Sequence, residues 1–388
     1  MSDSLHDRAV DILRTLVAFD TTSRDSNLHL IEWVEAYLAD HGVDSRRVPN
    51  ADGSKANLYA TVGPAVEGGV VLSGHTDVVP VDGQSWSSEP FDLEERDGRL
   101  YGRGTCDMKG FIALALAAVP NFLAAGLKRP VHLAFSYDEE VGCLGAPDMI
   151  DRMVAELPAP SAVVVGEPTM MRPVVGHKGI ASFWTTVRGH EAHSSLTHLG
   201  ASANMAAIPL LGWLHAKSAE LEAAGDPVNG FTPPGATLTV GLLNGGTALN
   251  ILARECAFAF DLRTPPEVEV ETVVAGYREQ VAAADAALKA RFPHCGAEVT
   301  PRAATPPLRP EADGEAERLV RRLTGDNEPA GVVAYAAEAG QFQQAGWSTV
   351  ICGPGSIEQA HQADEYVDVE QMRRGAAFMQ RLAEDLST

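Results

Sequence analysis

The residues in this 388-residue chain whose types and spacing could do chemistry are two histidines and a group of acids, each near one end of an apolar run. Val70-Val71-Leu72-Ser73-Gly74 stops on His75, with Asp77 two residues further on. Val131–Tyr137 stops on Asp138-Glu139-Glu140 and Ser161–Gly166 stops on Glu167, while Ser348–Cys352 leads through Gly353-Pro354-Gly355-Ser356 to His361. Asp107 stands where Gly98–Lys109 runs into an Ala-rich apolar stretch over residues 111–119. Singly, an acid beyond a strand is more often part of a turn, and one before a helix more often a cap. Four runs that deliver such residues to one edge are hard to obtain by accident.

His75, Asp107, Glu140, Glu167 and His361 make a mixed nitrogen and oxygen donor set, which suits zinc, cobalt or manganese and is not a thiolate site. Five ligands are too many for one catalytic zinc, which keeps an open position. They match two metals if one carboxylate bridges, an arrangement in which the pair shares a hydroxide and polarises a carbonyl. Asp77 is expected to accept the remaining ring N–H of His75. Glu139 is expected to point away from its neighbour Glu140 and, as a free carboxylate beside the activated water, to act as general base.

Such a set needs strands that end on one side of a sheet, and the chain supplies them. The apolar runs read as buried strands of a parallel sheet, whose carboxyl ends are where ligands bind in open α/β folds. Helical spacing over residues 5–18 and 28–41 predicts surface helices packed on that core. Between about 178 and 300 the pattern changes to strand-helix-strand-strand-helix-strand, the ferredoxin-like order. The expected division is therefore residues 1–177 with 301–388 as the metal-bearing α/β domain, and 178–300 as an inserted α+β domain.

Composition narrows the partners. A formal net charge of −22, from 30 basic and 52 acidic residues, argues against a nucleic-acid backbone as partner. Five scattered cysteines without a C-x-x-C pair suit a reducing compartment. The N-terminal residues lack a basic-then-apolar signal pattern, and no apolar run approaches the ~20 residues of a membrane span. A soluble, cytoplasmic protein with no membrane partner is expected. Gly102-Arg103-Gly104 begins like a dinucleotide-binding loop but has Asp107 at its third position, and neither a phosphate-binding P-loop nor a G-x-S-x-G elbow occurs.

Gly74-His75-Thr76-Asp77-Val78-Val79-Pro80, Gly102-Arg103-Gly104-Thr105-Cys106-Asp107-Met108-Lys109-Gly110, Asp138-Glu139-Glu140, Gly166-Glu167-Pro168-Thr169 and His361, in that order, resemble the di-zinc amidohydrolase family. Aminoacylase, succinyl-diaminopimelate desuccinylase, glutamate carboxypeptidases and acetylornithine deacetylase belong to it. The resemblance spans nearly the whole chain. It implies a zinc-exopeptidase-like catalytic domain with a mostly parallel central sheet, and a ferredoxin-like lid through which two subunits form a homodimer. It implies two divalent ions per subunit, zinc with cobalt as alternative: His75, Asp107 and Glu167 for one, and Asp107, Glu140 and His361 for the other. Glu139 then activates the water and Asp77 orients His75.

Gly189-His190-Glu191-Ala192-His193-Ser194-Ser195 resembles the family's lid signature, which gives His193 the role of oxyanion donor and leaves His190 without a matching position. Three stretches resemble the acetylornithine branch most: Gly166–Thr169 with His177-Lys178-Gly179, Leu242–Thr247 with Leu249-Asn250, and Cys352–Tyr366. That likeness implies an N-acyl amino acid substrate, N2-acetyl-L-ornithine. Arg263 and Asn250 would bind its α-carboxylate, with help from Gly355 and Ser356. Glu338 is expected to hold the side-chain ammonium, although Ala337 stands where relatives often carry a hydroxyl. The rival readings are a sister activity (desuccinylation, general aminoacylase action or dipeptide cleavage) and, from a different class, a metal-stabilised scaffold without catalysis.

Overall fold

Two kinds of strand pattern divide the chain, wholly buried runs and strict alternation. The computed structural model describes residues 4–388. In chain order its elements are α1 (Leu5–Val17), α2 (Leu28–Asp40), β1 (Ser45–Pro49), β2 (Ala56–Val62), β3 (Val70–His75), β4 (Glu94–Arg96), β5 (Arg99–Tyr101) and α3 (Lys109–Ala124). These are followed by β6 (Val131–Ser136), α4 (Ala146–Glu156), β7 (Ala162–Pro168), β8 (Val174–His177), β9 (Gly179–Arg188), α5 (Ala203–Ala223), β10 (Thr237–Gly245) and β11 (Glu255–Thr264). The last are α6 (Val270–Arg291), β12 (Gly296–Thr305), α7 (Glu315–Thr324), β13 (Gly331–Val333), α8 (Ala339–Gln344), β14 (Thr349–Gly353), β15 (Tyr366–Asp368) and α9 (Val369–Leu386). The larger unit runs to Gly176 and resumes over Leu308–Val332 and Ala337–Thr388, while the smaller holds His177–Pro307 and Val333–Ala336.

The larger unit is built on an eight-stranded sheet of order β1-β2-β6-β3-β7-β14-β8-β13. Its parallel part is the centre, where β6, β3, β7 and β14 pair in one direction. β1, β2 and β8 join antiparallel, so the sheet is mixed, with the expected parallel character confined to its core. All residues of β3, β6 and β7 are buried, which explains why they read as unbroken apolar runs: both sheet faces are covered.

Helix α1 starts where the Ser4 hydroxyl accepts the Asp7 N–H at 3.1 Å, and it buries Ala9, Ile12, Leu13, Leu16 and Val17, one face at helical spacing. Helix α3 is buried nearly all round. Its Phe111 ring lies so close to β7 that a Cβ at Gly166 would come within 2.0 Å of the ring, so only glycine permits that approach. This contact seats the N-terminal end of α3 over the strand that ends on Glu167.

The smaller unit contains a four-stranded antiparallel sheet of order β10-β11-β9-β12. With α5 between β9 and β10 and α6 between β11 and β12, this is the ferredoxin-like order. β9 and β11 alternate buried and half-buried residues, the signature of a sheet with one covered face. Phe183, Phe258, Phe260, Leu262, Leu210, Leu214, Val274 and Tyr277 form its core. No helix among the described residues is long and apolar enough to cross a membrane.

Candidate metal centre

His75 is the last residue of β3 and is 1% exposed. Its Nδ1 lies 2.9 Å from the backbone carbonyl of Asp77. A carbonyl only accepts, so Nδ1 carries a proton and Nε2 is the ring nitrogen that faces the acids. There Nε2 is 3.0 Å from Asp107 Oδ1 and 3.7 Å from Glu167 Oε1. The other oxygen of Asp107, Oδ2, is 3.1 Å from His361 Nε2, which also lies 3.0 Å from Glu140 Oε2. Asp107 thus offers one oxygen to each histidine, the disposition a bridging carboxylate needs. The ligand atoms of His75, Asp107 and Glu140 fall within 4.8 Å of one another, as do those of His75, Glu139 and Glu167.

The local structure differs from the expected strand ends in two places. β6 stops at Ser136, and Glu139 and Glu140 lie in the turn that follows, opened by Asp138 at φ 56°. Strand alternation is therefore not what separates their side chains. His361 is not at a strand end either; it follows a short 3-10 turn over Ile357–Gln359, at φ 62°. Asp107 is not a helix cap, because α3 begins at Lys109 without a side-chain cap bond.

Asp77 is also corrected. Its carboxylate stands 3.7 Å from His75 Nδ1, whose proton goes to the Asp77 carbonyl instead. The carboxylate accepts the Ser23 hydroxyl at 2.7 Å and the backbone N–H groups of Glu139 (3.1 Å) and Glu140 (3.3 Å). One residue thus orients the histidine through its backbone and fixes the acidic turn through its side chain. Sequence spacing exposes the closeness of Asp77 to His75, but not which of its oxygens is used.

The donor set asks for positive charge. Glu140 Oε1 is buried with no hydrogen-bond partner among the described residues, a costly state for a carboxylate oxygen unless a cation takes it. Burial together with the neighbouring acids pushes Glu139 up to about 8 and Glu140 up to about 7. Glu167 is also raised, well above its usual value, by burial and by Asp107. Burial opposes the charged form of His75, but Asp107, Glu167 and Glu139 outweigh it and lift the ring well above its usual value. Hydrogen bonds to Asp107 and Glu140 lift His361 to about 10. Four clustered carboxylates with two imidazoles fit a pair of divalent cations, which would replace the protons the cluster otherwise recruits.

Two charged residues that sequence reasoning missed hold Asp107. Glu365 is 1% exposed, and its Oε1 accepts the backbone N–H of both Cys106 and Asp107 at 3.0 Å. Its Oε2 pairs with the equally buried Arg103 at 2.6 Å. The signal was present in two motifs, Gly-Arg-Gly and Asp-Glu-Tyr, but their pairing spans 262 positions.

Several expected substrate contacts are engaged elsewhere. Glu338 is 1% exposed and accepts hydroxyls from Ser73 of β3 at 3.2 Å and from Ser136 of β6, so it clamps two strands and presents no carboxylate for an ammonium. The Gly355 N–H donates to Gln371 Oε1 at 3.3 Å, and that of Ser356 to Gln359 Oε1 at 3.1 Å. The Ser356 hydroxyl caps the 3-10 turn. Both positions shape the loop before His361; their polar groups are already used.

In the smaller unit, His193 is exposed and its Nδ1 accepts the Ser195 N–H at 3.2 Å, with the Ser195 hydroxyl at 2.8 Å. Nδ1 being an acceptor, Nε2 carries the proton and is a donor. The Asn250 carbonyl accepts the Ser194 N–H at 3.0 Å and the side chain is exposed. Arg263 Nε pairs with Asp261 at 2.8 Å across one strand face. His190 is half-buried, stacked on Phe292 and 3.0 Å from His294. The five cysteines are free and buried.

Residues 71–385 match the model of peptidase family M20/M25/M40. The chain is 37% identical over 379 residues, 95% of each chain, to an acetylornithine deacetylase of Myxococcus xanthus. Its fold is similar to that of a tripeptidase of Staphylococcus aureus (TM-score 0.76, 17% identity, 98% of each chain). It is also similar to a dinuclear metal-binding M20 peptidase of Bacillus subtilis (TM-score 0.64, 16% identity, 99% of each chain).

Proposed function

Since the chain belongs to peptidase family M20/M25/M40, we propose that it removes the acetyl group of N2-acetyl-L-ornithine, giving L-ornithine and acetate. The observation that carries the substrate is full-length likeness at 37% identity to a relative named for that reaction. The reaction class rests on the Asp107 carboxylate, which offers one oxygen toward His75 and the other toward His361.

His75, Asp107 and Glu167 would hold one divalent cation and Asp107, Glu140 and His361 the other, zinc with cobalt as the alternative. When bound, the pair supplies Lewis acidity for the acetyl carbonyl and for the attacking water. Glu139 takes the water's proton and returns it to the departing amine. A buried carboxylate that is not itself one of the proposed cation ligands is free to make both transfers. His193, with Nε2–H as donor, stabilises the oxyanion. Asp77 keeps the Glu139–Glu140 turn and the His75 ring in place. Arg263 has terminal nitrogens without a hydrogen bond among the described residues, so a planar carboxylate can be received there, whereas Asn250 precedes the other end of β11, where Glu255 pairs with Arg188. With its carboxylate taken by Ser73 and Ser136, Glu338 is not proposed as the ammonium partner.

Two copies are proposed to join through the smaller unit. Its edge strand β10 exposes Leu242 (54%) and Leu243 (55%), and α5 exposes Met205 (66%) and Ile208 (55%). An unpaired strand edge beside exposed apolar side chains suits pairing with its own copy. The protein is proposed to work in the cytoplasm, where its cysteines stay reduced.

The test is kcat/KM on N2-acetyl-L-ornithine, N-succinyl-diaminopimelate, N-acetyl amino acids lacking the ammonium, and dipeptides. Acetylornithine is expected to lead by about tenfold or more, with loss on chelation and recovery with zinc or cobalt. A higher value for the succinyl substrate or a peptide overturns the substrate; hydrolysis indifferent to chelation overturns the chemistry.

A further inference from the structure

His361 is held differently from His75. The His75 ring is pinned through Nδ1 to a carbonyl and is 1% exposed, whereas the His361 side chain is 51% exposed and its Nδ1 has no hydrogen bond among the described residues. Histidines that bind a metal usually have their second nitrogen fixed, because a free ring loses its orientation. For His361 the orientation must come from the backbone that carries it. That backbone lies at φ 62°, an uncommon region for a residue with a side chain, so it needs fixed neighbours.

One side chain supplies a fixed neighbour. Gln84 donates from Nε2 to the His361 carbonyl at 3.0 Å. Its Oε1 accepts from Arg103 Nη2 at 2.6 Å and from Trp86 Nε1 at 3.0 Å. Both of those are donors only, so the oxygen must face them and the amide N–H₂ must face His361; the amide has one workable orientation. Arg103 in turn pairs with Glu365, which holds the N–H of Asp107. The Trp86 ring lies over the Arg103 guanidinium at 5.0 Å. The chain Asp107–Glu365–Arg103–Gln84–His361 therefore connects two metal ligands through their backbones.

We propose that Gln84 is a positioning residue for His361, setting the second cation position and leaving the His75 position unaffected. This rests on the two-cation reading. The experiment is titration of the metal-free full chain with Co²⁺, followed by calorimetry and by visible absorption, for the wild type, Gln84→Glu, Gln84→Ala, His361→Gln and the double variant His361→Gln/Gln84→Ala. Gln84→Glu keeps both acceptor contacts to Arg103 and Trp86 and loses only the donor to His361, so it retains the fold if Gln84→Ala does not.

In the wild type two equivalents are expected. In either Gln84 variant one equivalent weakens by about 10- to 100-fold and the other stays as it was. His361→Gln weakens the same equivalent, and adding Gln84→Ala to it costs nothing further, because both changes act on one site. Additive losses, equal weakening of both equivalents, or unchanged binding in Gln84→Glu overturn the inference. A wild type that binds one equivalent overturns the two-cation reading itself, and this inference with it.

Discussion

The larger and smaller units treat their polar residues in opposite ways. In the larger unit the chemical side chains other than His361 are largely buried and held by other buried groups: Asp77 fixes the acidic turn, Glu365 fixes Asp107, and Glu338 clamps β3 to β6. In the smaller unit His193 and Asn250 are exposed, and the His193 ring is hydrogen-bonded to Ser195, two positions away. The difference teaches where precision is required. A cluster of carboxylates tolerates little displacement, because each must share charge with its neighbours in a medium that solvates poorly. A residue that only donates one hydrogen bond to a substrate can wait in water.

The contrast can be broken from either side. Glu139→Gln should cost about 10³-fold or more in kcat while two cations stay bound, measured by steady-state rates and metal analysis; a variant with a tenth of the rate removes Glu139 as the base. Gly166→Ala drives a methyl into the Phe111 ring and should cost about 3 kcal/mol or more of stability in denaturant unfolding, the behaviour of a close-packed core. His193→Ala should lower kcat by about 10²- to 10³-fold with metal content and melting temperature unchanged. If the rate does not move, the smaller unit has no part in the chemistry and the contrast is one of packing alone.

A smaller effect concerns pH. Burial pushes His132 of β6 down to about 4, so the folded chain keeps it neutral where the unfolded chain would protonate it. Between pH ~6.5 and ~4 the unfolded state binds more protons, and stability falls as pH falls through that window, by on the order of 2–3 kcal/mol from this group. His132→Gln should flatten that part of the stability curve; a curve of unchanged slope means His132 is not its source. The smallest effect is expected at the exposed edge of the smaller unit. Leu242→Asp should change monomer stability by no more than about 0.5 kcal/mol, yet shift a dimer to monomer in sedimentation. A dimer that survives it does not form through that edge.

The sequence by itself determined the large features, because they are written in local patterns. Unbroken apolar runs marked the buried central strands, and the order of elements over 178–300 marked the ferredoxin-like unit. Four of the five candidate ligands were legible because each ends or follows such a run, and Asp107 because it comes just before an apolar helix. What the tertiary structure decided was which atom of each residue is used. Asp77 presents its carbonyl to His75 and its carboxylate to the acidic turn, Glu338 turns from the substrate to two strand serines, and Gly355 and Ser356 are absorbed into their loop. Glu365 and Arg103 meet only when distant segments pack together. Residue type and spacing fix what a side chain is able to do; hydrogen-bond partners drawn from remote parts of the chain fix which of those things it does, because a buried polar atom must find a partner and takes the one that the fold brings.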